Sequence, residues 1–140
     1  MNACNVPVLE ETHRESCEGL ITIEEASVAL KMMNNGSSPG LDGLTTEFYK
    51  CFWLKLQDIV TQSFNESYTK GSLSFTQSSA ALTLLHKGKD LPKNKLQNWR
   101  PISLTNTDYK ILAKCLANRV CKVIDHIVAE DQVGYRPYKG

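Results

Sequence analysis

The chain has 140 residues, 41% of them hydrophobic, and a formal net charge of +1, which is about one domain with a single moderate core. No run reaches the roughly 20 apolar residues of a membrane span, and Glu10, Glu11, Glu15 and Glu18 leave no basic start or apolar centre for a secretion signal. Five scattered cysteines without a Cys-x-x-Cys exclude a disulfide framework or zinc knuckle and point to a reduced, intracellular protein, nuclear or cytoplasmic and not secreted.

Residues 1–20 are polar and lack an apolar period, the pattern of a disordered tail or linker. Thr22 with Glu25 forms a capping box. It opens a helix with Ile23, Ala26, Leu30 and Met33 at helical spacing, and Asn35-Gly36 is expected to supply its left-handed stop. A tight loop, Ser37–Gly43, leads to a longer helix with Phe48, Phe52, Leu56, Ile59, Val60, Phe64 and Tyr68 every three or four residues, ending near Lys70-Gly71.

Ala80–His86 is a short apolar run that reads as a buried strand. Lys87–Asn98 is a charged loop, and Trp99–Leu104 is a second strand in which Pro101 marks an edge or bulge. Thr107 can cap a third helix whose apolar stripe takes in Ile111, Leu112, Cys115, Leu116, Val120, Val123, Ile124, Ile127 and Val128. Lys110, Lys114, Asn118 and Lys122 lie off that stripe. The pattern is α+β: helix, helix, β-hairpin, helix.

Charge is divided along the chain. Residues 1–66 hold 4 basic and 10 acidic side chains, net −6, whereas 86–122 hold 9 basic and 2 acidic, net +7. A basic half suggests a polyanion partner; a solvated loop and helix face is the alternative.

Two blocks carry the most specific information: Ser38-Pro39-Gly40-Leu41-Asp42-Gly43-Leu44 and Asn98-Trp99-Arg100-Pro101-Ile102-Ser103-Leu104. Between and after them stand Glu47-Phe48-Tyr49-Lys50, Tyr109-Lys110-Ile111-Leu112-Ala113-Lys114, Ala117-Asn118-Arg119 and Asp131-Gln132-Val133-Gly134-Tyr135. In this order they resemble the N-terminal part of the reverse transcriptase of non-LTR (LINE-type) retrotransposons, over about residues 21–140. Two departures are His86, where a proline is usual, and Pro137-Tyr138-Lys139-Gly140, where a Pro-Gly-Arg-like run is usual.

The resemblance implies the fingers subdomain of a right-hand polymerase with the approach to the palm, ending before the palm's catalytic strands. It implies Lys87 and Arg100 on the phosphates of an incoming dNTP, and Gly40, Gly43, Lys110, Lys114, Gln132 and Tyr135 near the template. The implied partners are RNA template, RNA/DNA hybrid, dNTP and the remaining palm and thumb, with no membrane. Mg²⁺ is implied for the full enzyme only.

The residues themselves bear on parts of this. Two-metal nucleotidyl transfer needs carboxylates to hold the metals. The chain has no Asp-Asp pair, and Asp90, Asp108, Asp125 and Asp131 read as caps or ion-pair partners, so no catalytic or metal-ligating residue is expected. A hairpin would bring Lys87 and Arg100 together, and arginine's planar fork suits phosphate oxygens. Gly40 and Gly43 fit either close approach to a template or a plain interhelical turn. Trp99 reads as a packing residue rather than a base platform. Alternative readings are a non-catalytic nucleic-acid-binding module or relic of a retroelement, a group II intron maturase-type fingers region, and a structural helical protein.

Overall fold

The computed structural model describes residues 9–88 and 90–128. Its elements are α1 (Glu11–Glu15), α2 (Ile23–Met32), α3 (Thr46–Lys70), α4 (Phe75–Ser78), β1 (Ala80–His86), β2 (Trp99–Thr105) and α5 (Thr107–Ile127), with a 3-10 turn over Leu96–Asn98 before β2. The fold is mixed α+β, with five helices and one two-stranded antiparallel sheet.

Local chemistry sets most boundaries. Thr22 Oγ1 accepts from Glu25 N–H at 3.2 Å while Glu25 Oε2 accepts from Thr22 N–H at 3.0 Å, so both orphan donors at the start of α2 are satisfied. The end of α2 differs from the expected stop. Met33 is already extended (ψ 138°), and the turn with Gly36 at φ +75° comes after it. Lys50 on α3 donates to Met33 O and Asn35 Oδ1, both at 2.7 Å, and so ties this turn to α3. α3 ends as its sequence predicts, at Gly71 with φ +65° and a Ser72 N–H to Ser67 O bond of 3.1 Å.

Three helices make the core. Ala26, Ala29 and Leu30 of α2 meet Tyr49, Trp53, Val60 and Phe64 of α3 and Ile111, Leu112 and Cys115 of α5, with Ile21 beside them. Trp53 also donates its indole N–H to Ser27 Oγ at 2.7 Å. The buried face of α3 is rotated from the predicted one. Thr46, Tyr49 and Trp53 point inward, while Phe48, Phe52 and Ile59 stay 36%, 45% and 66% exposed. On α5 the stripe is narrower than predicted, with Leu116 and Val120 exposed.

The hairpin projects from this core. Its register runs from Ala80↔Thr105 to His86↔Trp99, and Lys87 N–H to Asn98 O at 2.8 Å extends the ladder by one pair. That pair fixes the alternation. Leu84↔Pro101 is a non-hydrogen-bonded pair, so Pro101 removes no ladder bond and its ring nitrogen lies on the outer edge. β1 is not buried as predicted: Leu82 is 70% exposed and Leu85 is 56% exposed. A seven-residue apolar run is equally compatible with a buried strand and with a projecting hairpin arm. Here no described helix covers either face.

Residues 11–20 also differ from the expected disordered tail. α1 forms, and residues 17–20 fold back onto α5. Arg119 Nη1 donates to Gly19 O at 2.8 Å and Glu18 O at 3.2 Å, and Nη2 to Leu20 O at 2.8 Å. These acceptors are backbone carbonyls, which every sequence has, so no apolar period announces them. Residues 1–8 lie outside the described part.

Candidate nucleic-acid interface

Antiparallel pairing decides which predicted residues meet. Lys87 opposes Asn98, and Arg100 opposes Leu85. The two cations therefore sit on one face as diagonal neighbours, roughly 7–8 Å apart at the backbone. They lie at the loop end of the hairpin and both are exposed. Lys87 Nζ donates to Gln97 O at 2.6 Å, which aims the ammonium along the loop and leaves its other protons free. The Arg100 side chain has no hydrogen bond or ion pair within the described residues, so its fork is open to an outside acceptor. Lys93 and Lys95 are exposed on the same loop.

The loop is held in shape by side chains bonding backbone. Buried Asn98 donates from Nδ2 to Pro92 O at 2.7 Å, and Trp99 donates from Nε1 to Lys93 O at 3.0 Å. The His86 ring meets the Trp99 ring edge-on, 5.0 Å between centroids and 67° between planes. Trp99 thus packs within the hairpin and stands apart from the helical core.

A second group forms at the hairpin's base. Gly40 lies so close to Asn106 that a Cβ there would sit 2.1 Å from Asn106 Oδ1 and 2.5 Å from its backbone nitrogen. Gly43 closes the same turn with φ +70° and its N–H on Gly40 O at 3.2 Å, with open space where a side chain would go. Asn106, 2% exposed, accepts from Asp42 N–H at 3.4 Å and donates to Thr76 O at 3.0 Å. Thr107 Oγ1 donates to Leu44 O at 2.6 Å, and Lys110 Nζ donates to Ser38 O at 2.8 Å. The Ser37–Gly43 loop is therefore pinned to the start of α5. Lys114 follows one turn after Lys110, half-buried, with no polar partner among the described residues. Gln132 and Tyr135 lie outside the described residues.

Arg100 and Thr105, which stands beside Asn106, are five residue steps apart along β2, roughly 17 Å of strand. The predicted site residues thus fall into a tip pair, Lys87 and Arg100, and a base group, Gly40, Gly43, Lys110 and Lys114.

Two carboxylates, Asp42 and Asp108, stand at the base beside Lys110. Burial, with Asp42 nearby, pushes the Asp108 carboxyl up, although the Tyr109 N–H bonds its Oδ1 at 2.7 Å. Tyr49 beneath is pushed up to about 12 by burial and by Asp108 and Asp42. Asn106 and Arg119 are not marked as organising residues by the sequence, since each works by reaching backbone or side chains on a distant segment.

The fold and site together define a small α+β unit that presents a cationic hairpin. No family model matches the chain. Over 127 residues the chain is 42% identical to the Transposon TX1 uncharacterized 149 kDa protein of Xenopus laevis, an alignment covering 91% of this chain and 10% of that protein. The chain spans about a tenth of the length of this relative. The similarity points to a transposon-derived protein. No helix among the described residues is long and apolar enough to cross a membrane.

Proposed function

We propose that the chain is the fingers region of a LINE-type RNA-directed DNA polymerase, binding the RNA template and the phosphates of the incoming dNTP. The carrying observation is the hairpin register, which sets Lys87 and Arg100 on one face at the loop end. The similarity to a transposon protein favours a retroelement over an intron maturase. Arg100 supplies a forked, permanently charged donor, and Lys87 a point charge beside it.

Asp108 is engaged by Tyr109 N–H, Asp42 Oδ1 accepts from Leu44 N–H at 3.0 Å, and no group of three or more His, Cys, Asp or Glu among the described residues could hold a metal ion.

The reading is tested on the chain itself by fluorescence anisotropy with single-stranded RNA. If about four phosphates are neutralised, log affinity falls against log salt with a slope near −2.8. Changing Lys93 and Lys95 to alanine flattens that slope. A slope near zero in the unmodified chain rejects the reading in favour of a structural protein.

In a polymerase that contains this region, Arg100→Ala is expected to raise KM for dNTP or lower turnover by about ten- to a hundredfold, the loss of one charge-assisted phosphate bond. Template affinity changes little, and Arg100→Lys recovers only part of the loss. Steady-state kinetics on the two variants decide it. Normal nucleotide use with poor template binding makes the hairpin a template contact instead.

A further inference from the structure

The two faces of the hairpin tip differ in chemistry. Lys87 and Arg100 lie on one; His86, Trp99 and Pro101 lie on the other, because side chains alternate along each strand. Trp99 is only partly buried and takes no part in the core cluster. Its indole is nonetheless fixed by the bond to Lys93 O and the edge contact with His86. An aromatic plane held in place without a core around it loses little entropy when a flat partner docks. Exposed Lys93 and Lys95 stand on the loop to which that indole is tied.

We propose that the Trp99 face is a stacking platform for one unpaired base of single-stranded RNA, with the flanking phosphates on Lys93 and Lys95. This deepens the polymerase reading and rests on it for the identity of the strand. Stacking on an indole suits a template because every base has a π face, so the contact tolerates any sequence. The faces then divide the work: nucleotide phosphates on the Lys87–Arg100 side, a template base on the other.

The test uses the whole chain, an oligouridylate 12-mer, and an abasic 12-mer of the same charge. The protein has two tryptophans, and Trp53 is buried with its N–H on Ser27, so quenching on RNA addition reports Trp99. The expected result is quenching by oligouridylate and none by the abasic strand. Trp99→Phe loses the quenching but binds within about threefold of wild type, since an aromatic face remains. Trp99→Leu binds oligouridylate roughly five- to a hundredfold more weakly with an unchanged salt slope, and binds the abasic strand as wild type does. RNA binding without quenching, or an equal loss on the abasic strand, overturns the platform while leaving the salt-dependent polymerase reading in place. No RNA binding at low salt removes both. The wild-type quenching measurement needs no variant to fold.

Discussion

Arg119→Ala is expected to lower the unfolding free energy by about 3 kcal/mol and the melting temperature by roughly 10 °C. Its side chain is 7% exposed and grips Glu25 through Nε and Nη2, both at 2.7 Å, besides the carbonyls of residues 18–20. Truncation strands a carboxylate and a row of carbonyls at once. The figure is at the lower end for a broken buried pair because Glu25 keeps 28% of its side chain in water. Arg119→Lys recovers a fraction, since one ammonium cannot span both sets of acceptors.

The same pair sets an acid dependence. The Arg119 guanidinium, aided by Thr22 N–H and opposed by burial, holds the Glu25 carboxyl below its ordinary 4.5. A depressed carboxylate contributes its stability in full above the unfolded value and loses it as pH falls through the folded one. Wild type should therefore lose stability below about pH 4.5, and Arg119→Ala should lose less over that window. Thermal melts from pH 7 to pH 3 check both statements. A loss under about 1 kcal/mol at pH 7 would reduce the cluster to an ordinary surface pair.

Gly40→Ala is expected to cost about 2–3 kcal/mol, and Gly43→Ala about 1 kcal/mol. At Gly40 the new methyl meets the Asn106 nitrogen and Cα at 2.5 and 2.7 Å, backbone atoms that cannot swing aside. The loop must lift, loosening Asp42 from Asn106 and Ser38 from Lys110. At Gly43 there is room, and the penalty is only that of φ +70° for an L residue. Urea denaturation with RNA anisotropy on the same samples separates the roles. A glycine that served only a template would leave the urea midpoint unchanged while weakening RNA binding.

Local chemistry made the start of α2, the end of α3 and the limits of β1 readable, whereas Thr107, expected to cap α5, is its first helical residue, behind Asn106, which makes no side-chain cap bond. Thr22 with Glu25, Gly71, and the run Ala80–His86 each state a local preference that the fold keeps. Which face of α3 turns inward was not readable, because the helix carries two apolar stripes. Phe48, Phe52 and Ile59 are as greasy as Tyr49, Trp53 and Val60, and only the positions of α2 and α5 choose between them. The open hairpin was missed for a related reason: burial is a property of what lies alongside. Lys87 and Arg100 could be placed together because strand pairing is a rule of spacing. The grip of Asn106 on the loop at position 42 and on α4 at position 76 could not, since it depends on backbone groups there.

The Arg119 cluster also bears on the order in which the molecule assembles. Its bonds to residues 18–20 join points 99–101 positions apart, among the most distant pairings in the chain. Closing so long a loop costs entropy before any bond repays it. α2 and α3 can meet while the chain is still being synthesised, but the segment ahead of Ile21 must wait until α5 has emerged. Its carbonyls are held only once both ends of the chain are present, a strap closed across the three-helix core.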